Sequence, residues 1–294
     1  MNPTTIAILM PGDMGHGVGR ALKEHGKDVI TALDGRSART KGLAETAGLR
    51  DVGSIRSAVE AADLILSILP PASAHDQARQ VAEDMSATGS RPVYVDCNAV
   101  SPDTAIQIGN TISGSGAPYI DCGIIGLAPG KTGGTRFYVS GADNAPMLAL
   151  DGLGFSVTAV GTEPGRASAL KMSYAGLTKG TWTLHTAVLL AAQQLGVLPE
   201  LLEEFRISQA STLKDMEGRV SRLPADSGRW IAEMEEIAST FASAGVPSGF
   251  HDGAAEIFRL LSQTPFASET RETIDPDRTM EQALAVFAEQ IKPK

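Results

Sequence analysis

Three groups of residues in this chain have types and spacing suited to chemistry. The first is a glycine-crowded turn. Residues 6–22 read IAILMPGDMGHGVGRAL, an apolar run that stops at Pro11-Gly12 and passes through Gly15, Gly17 and Gly19 into a helical pattern. Strand, glycine turn and helix present backbone N–H groups and a positive helix end to a pyrophosphate, and the absent Cβ lets the ligand approach. Gly12, Asp13, Met14 and Gly15 are therefore candidate cofactor residues. Gly12 and Gly15 fit the second and third glycines of the dinucleotide fingerprint G-x-G-x-x-G, and Met10 falls on the first. A residue with a Cβ enters positive φ only with difficulty. A turn of different form is thus expected there, set by the fixed φ of Pro11.

The second group is a charged corner about twenty residues further on, where an acid commonly holds the adenosine ribose. Asp34 occupies that place and argues for NAD. Arg36, Ser37 and Arg39 follow it and argue for NADP, because guanidinium and hydroxyl groups suit a 2′-phosphate. NADP(H) is favoured over NAD(H). The competing reading makes Ser37 a helix N-cap and leaves the arginines in solvent. Further along the chain, Leu69-Pro70-Pro71 and Asn98 each follow an apolar run, where open α/β sheets bind ligands. The prolines there build a rigid loop. Asn98 offers donors and an acceptor to a carboxamide, or else closes an Asx turn.

The third is a lysine, Lys171, set among Ala169, Leu170, Met172 and Ala175. A partly dehydrated ammonium exchanges a proton near neutral pH; the other reading is a lysine that snorkels from a packed helix.

The elements that must position these groups follow from periodicity. Apolar runs at 5–9, 29–33, 63–69, 93–97, 119–122, 136–140 and 156–160 alternate with helical patterns, which argues for a mostly parallel sheet covered on both faces. From Ala167 onward the pattern is helical throughout. The expected fold is α/β, a Rossmann-type doubly wound sheet followed by an all-α domain, with domains at 1–164 and 165–294. Gly176 and Gly180, four apart in the long pattern 167–195, suggest close packing against a neighbour.

Composition limits the function classes. The chain has 294 residues, 43% hydrophobic and 20% charged, with net charge −9. An acidic balance without a Lys/Arg run gives no support to nucleic acid as a partner. No stretch reads as a signal peptide or a membrane span, so a cytoplasmic protein is expected. Cys97 and Cys122 read as buried free thiols, with a disulfide as the alternative. The histidines show no ligand spacing, and no metal is expected. Gly130-Lys131-Thr132 lacks the earlier glycine of a P-loop.

Taken together, Gly12-Asp13-Met14-Gly15, Leu69-Pro70-Pro71 and Asp96–Pro102 resemble the β-hydroxyacid dehydrogenase family, which includes 3-hydroxyisobutyrate and 6-phosphogluconate dehydrogenases. In detail the chain resembles a bacterial subgroup with a distinctive C-terminal domain. The resemblance implies that Lys171, spaced from Gly165 as in the family's G-x-x-x-x-x-K motif, is the general acid/base. Tyr174 and Ala175 replace the two asparagines that follow it. Tyr174 is then a relay or substrate residue, or else a core aromatic. The family's substrate loop D-x-P-V-S-G-G maps onto Asp121–Leu127, which makes Gly123, Ile125 and Gly126 substrate residues, with Ile125 replacing the serine that helps bind a carboxylate. Glu236 stands where the family often has an aspartate, or belongs to a solvated acidic face. The implied function is hydride transfer between nicotinamide and a carbon bearing a hydroxyl, on a small-molecule substrate, in a homodimer. An NADPH-dependent imine reductase and a non-catalytic dinucleotide sensor or scaffold remain open alternatives.

Overall fold

A computed structural model describes residues 2–291. The chain divides into two compact units, one ending at Met172 and the other beginning at Ser173.

The first unit is built on an eight-stranded sheet of order β3-β2-β1-β4-β5-β6-β7-β8. Its strands are β1 Thr5–Leu9, β2 Asp28–Thr31, β3 Arg50–Asp51, β4 Leu64–Ser67, β5 Val93–Asp96, β6 Tyr119–Gly126, β7 Thr135–Ser140 and β8 Ser156–Gly161. Between them run α1 Gly15–Glu24, α2 Ala38–Thr46, α3 Ile55–Ala61, α4 Ala74–Thr88, α5 Pro102–Gly114 and α6 Ala145–Leu148. The β6–β7 pair is antiparallel and the others are parallel. Side chains alternate across the sheet: Ile6, Ile8, Leu64, Leu66, Val93 and Val95 enter one apolar core, while Ala7, Leu9, Ile65 and Tyr94 enter the other. Burial of both faces explains the near-continuous apolar strands and makes the sheet doubly wound, as expected.

The helices that follow are α7 Arg166–Gln194, α8 Leu198–Ser208, α9 Ala210–Arg219, α10 Pro224–Ser243, α11 Gly249–Ser262 and α12 Met280–Ala288. The division between the units falls inside α7. Strand structure ends near the 164 boundary read from the sequence, but the first compact unit continues to Met172. The cause lies in β6, whose residues hold the opening turns of α7. The continuous helical pattern after Ala167 is interrupted between α8 and α9, because Gln209 leaves helical geometry at φ −137°, ψ 37°. Cys97 and Cys122 are buried and free, and burial pushes the Cys122 thiol well above its ordinary value. Among the described residues, no helix is long and apolar enough to cross a membrane.

Candidate functional site

The turn between β1 and α1 keeps the geometry that its sequence argued against. Met10 adopts φ 60°, the only non-glycine residue with positive φ among the described residues. Pro11 does not replace this conformation but follows it, and the Gly12 N–H donates back across it to the Met10 carbonyl at 2.7 Å. A left-handed residue bearing a side chain costs about 1–3 kcal/mol and persists where the surroundings fix it.

The glycines of this segment divide by what surrounds them. A methyl group at Gly15 would stand 3.1 Å from the Met10 carbonyl oxygen and 3.2 Å from Ile8 Cγ2. One at Gly17 would stand 2.9 Å from Ala128 Cβ, and one at Gly19 2.7 Å from Leu49. These glycines let α1 lie close to β1, to the β6–β7 connection and to Leu49. Gly12 is different: a methyl there meets nothing within 4 Å, and its φ is not positive. The protein itself has no steric need for glycine at this position. An open cradle beside a helix start is what a pyrophosphate requires. No side chain caps α1 and no acid stands in its first turn, which leaves its positive end open to an anion. The residues fit a dinucleotide.

At the charged corner, Asp34 is exposed and its amide donates to the Gly53 carbonyl at 3.1 Å. Ser37 is the N-cap of α2, accepting from the Thr40 amide at 3.2 Å. Arg36 donates to Gln77 Oε1 at 3.3 Å. Arg39 forms an ion pair with Asp13 of the glycine turn at 2.6 Å. Arg39 is thus engaged across the corner rather than left to solvent.

Asn98 is 2% exposed and uses its amide internally. Its Oδ1 accepts from the Leu69 amide at 2.5 Å, and its Nδ2 donates to Ser67 Oγ at 3.2 Å and to the Asp96 carboxylate. The carboxamide contact foreseen for a ligand is replaced by a clamp that fixes the Leu69-Pro70 loop beyond β4. Asn98 positions that loop and does not present its amide at the surface.

On β6, Asp121 and Gly123 share one face of the strand. Asp121 accepts from the Gly165 amide at 2.8 Å, the Ser168 amide at 3.1 Å, Ser168 Oγ at 2.6 Å and Ser140 Oγ at 3.1 Å. It closes the start of α7 as a cap borrowed from a distant strand. Burial raises its carboxyl pKa, while Ser168, Ser140 and the Gly165 amide pull against that rise. At Gly123 a methyl would stand 2.7 Å from Lys171 Cβ and 2.9 Å from the Ala167 carbonyl oxygen. The missing side chain lets α7 sit directly on the strand. Asp96 and Asp121 are register partners, so Gly123 lies level with Asn98. Lys171 therefore packs at the carboxyl edge of the sheet, the edge that carries the Met10–Gly15 turn.

The mapped substrate loop differs from expectation. β6 runs unbroken to Gly126, pairing Ile125 with Arg136 and Gly126 with Thr135. Ile125 is 3% exposed and is a core strand residue. Gly126, at φ 109°, lies so close to the Gly134 carbonyl that no side chain fits. Of the mapped glycines, Gly123 is the one that lies against Lys171. Gly130-Lys131-Thr132 lies in the exposed connection between β6 and β7.

In the second unit Tyr174 is 45% exposed, which removes the core-aromatic reading. The acidic run on α10 separates by depth. Glu235 is exposed and pairs with Arg259, and Glu236 is half-buried. Glu233, passed over in the sequence, is 6% exposed and pairs with buried Lys179 at 2.7 Å. The Lys179 ammonium also stands 5.7 Å from the Trp230 ring centre, and Trp230 packs on Trp182 and Phe258. A groove of about 650 Å³ lies elsewhere in this unit, floored by Gly176 and Gly180 and rimmed by Leu177, Leu184 and Phe250. Among the described residues, no group of three potential ligands holds a metal geometry.

Residues 5–153 match the model of the NAD binding domain of 6-phosphogluconate dehydrogenase, and residues 192–261 match a domain of unknown function (DUF1932). Among solved structures, a conserved protein of unknown function, MTH1747, described as structurally similar to 3-hydroxyacid dehydrogenases, is 26% identical with TM-score 0.64, covering 87% of this chain and 96% of its own. The 3-hydroxyisobutyrate dehydrogenase of Mycobacterium tuberculosis is 18% identical with TM-score 0.63, covering 88% and 93%. An imine reductase from Myxococcus stipitatus, in complex with NADP+, is 19% identical with TM-score 0.55, covering 87% and 93%.

Proposed function

We propose, from the premise that this chain belongs to the family of the NAD binding domain of 6-phosphogluconate dehydrogenase, that it is an NAD(P)-dependent oxidoreductase of the hydroxyacid dehydrogenase type. Its substrate is a small molecule with a hydroxyl on the reacting carbon. The observation that carries this reading is the seating of Lys171 on Gly123, at the sheet edge shared with the glycine turn. Gly12 and the start of α1 would hold the pyrophosphate, and Asp34, Arg36 and Ser37 would face the adenosine ribose. NADP(H) is placed ahead of NAD(H) on the two guanidinium groups of that corner.

The bound nicotinamide supplies or accepts the hydride. Lys171 handles the proton at its Nζ. As a neutral amine it takes the hydroxyl proton in the oxidising direction, and as an ammonium it returns one in the reducing direction. Asp121 and Gly123 fix the backbone from which that amine projects, which is the positional contribution such catalysis needs. Asn98 keeps the Leu69-Pro70 loop rigid. Tyr174, three residues beyond Lys171 on the same helix, is assigned to the proton relay or to substrate contact.

A second reading, an NADPH-dependent imine reductase, is favoured by Ile125. A buried apolar strand residue stands where the family has its carboxylate-binding serine, so a short hydroxycarboxylate loses one anchor. The structural likeness to an imine reductase supports this reading. We also propose a cytoplasmic homodimer, joined through the groove of the second unit. Leu177 is 72% and Phe250 83% exposed beside that groove, an apolar patch of the kind that marks an interface.

The test is a turnover screen of the full chain. Oxidation of hydroxy acids with NADP+ or NAD+ supports the first reading. Reduction of cyclic imines with NADPH supports the second. Saturable cofactor binding with no turnover across both panels contradicts both and favours a sensor or scaffold.

A further inference from the structure

Arg39 belongs to the corner assigned above to the adenosine ribose, and its guanidinium is already held by an anion of the protein. The partner is Asp13, the residue between Gly12 and Met14 in the phosphate-binding turn. The pair joins the β1–α1 turn to the first turn of α2, spanning the two segments between which an adenosine ribose lies in this fold. Both side chains are partly exposed, at 44% for Arg39 and 31% for Asp13, so the pair is open to an incoming anion. The other groups of the corner are unequally available. Ser37 Oγ already accepts from the Thr40 amide. Arg36 donates to the neutral Gln77 amide oxygen. Because a guanidinium only donates, Gln77 must turn Oε1 toward it, and no negative charge is cancelled in that contact.

We infer that Asp13 is a specificity-determining residue for the cofactor. Its carboxylate competes with a ribose 2′-phosphate for Arg39. It thereby narrows the preference for NADP(H) that Arg36 and Arg39 would otherwise set. This rests on the reading that the corner faces the adenosine ribose. A 2′-phosphate bound beside an intact Asp13–Arg39 pair meets one uncompensated guanidinium, Arg36. Beside a neutral residue at 13, Arg39 is relieved of that carboxylate and turns more readily to the phosphate. NAD(H) lacks the phosphate, and both cofactors share the pyrophosphate, so any general effect of removing a negative charge from the turn cancels in their ratio. Exposed ion pairs contribute little, and a carboxylate so placed should shift the ratio by roughly fivefold.

The test is equilibrium binding to the full-length protein without substrate, by calorimetry or fluorescence, using NADP+ and NAD+ and then 2′-phospho-ADP-ribose and ADP-ribose. Asp13→Asn should tighten NADP+ and 2′-phospho-ADP-ribose by roughly fivefold relative to their unphosphorylated counterparts. Adding Arg39→Gln to Asp13→Asn should abolish that gain, because the gain is routed through Arg39. An unchanged ratio overturns the inference. So does weaker NADP+ binding in Asp13→Asn, which would mean that Asp13 holds Arg39 ready for the phosphate. If the unaltered protein binds none of the ligands, the reading of the corner fails and the inference with it; if it binds them and only the ratio is insensitive, the inference alone fails.

Discussion

The two units of this chain treat their polar groups in opposite ways. In the α/β unit, the carboxyl edge of the sheet carries a helix start without a side-chain cap and a glycine, Gly12, that no protein atom requires. In the helical unit, the deepest charges cancel each other, Lys179 against Glu233, under a cover of Trp182 and Trp230. The open groove there is lined by uncharged small and apolar residues and by His251. One unit leaves polar capacity for a ligand; the other pairs its buried lysine and glutamate with each other and leaves apolar surface.

The largest expected effect tests the internal cancellation. Glu233→Gln leaves the Lys179 ammonium buried beside a neutral amide, and a broken buried pair costs about 3–5 kcal/mol. Urea unfolding should show a loss of that size. A loss below about 1 kcal/mol would mean that the pair is solvated and that the contrast between the units is overstated.

Next is the division among the glycines. Gly17→Ala forces a methyl to 2.9 Å from Ala128 Cβ and should cost about 1–3 kcal/mol by overpacking. Gly12→Ala should change stability by less than about 0.5 kcal/mol, yet weaken dinucleotide binding at least roughly tenfold, since its methyl enters the cradle. Thermal melts and cofactor titration of both variants separate the two roles. Equal loss of stability in both would contradict the division.

The smallest effect is one of pH. His251, 7% exposed and edge-on to Phe241, has its pKa held below the ordinary 6.5 by burial, against the pull of Asp252. The folded state therefore binds this proton less well than the unfolded chain, so stability is full above about pH 6.5 and falls as the pH drops below it. His185 shifts the same way, also chiefly by burial, and adds to the slope. His251→Gln should flatten the decline without removing it, as read from urea midpoints between pH 5 and 7.

Much of this architecture was legible from pattern. The bounds of β1 follow directly from its apolar run, and burial on both faces of the sheet follows from unbroken apolar strands. What escaped was set by distant partners. The antiparallel pairing with β7 carries β6 through Gly126, where glycine and proline nearby read as a loop. Asp121 was visible as a motif position but not as the cap of a helix more than forty residues away. Lys179 and Glu233 are 54 residues apart, and nothing local pairs them. Met10 misled because its left-handed conformation is enforced by the turn's surroundings against its own preference. The break at Gln209 has neither proline nor glycine to announce it.

The proposed proton transfer depends most on Lys171, and its direct test is Lys171→Met assayed for cofactor binding and turnover together. Cofactor affinity should stay within about twofold, while kcat falls by about 10²–10⁴ on whichever substrate class the wild type accepts. Turnover at the wild-type rate, with the cofactor still bound, would contradict the role given to this amine.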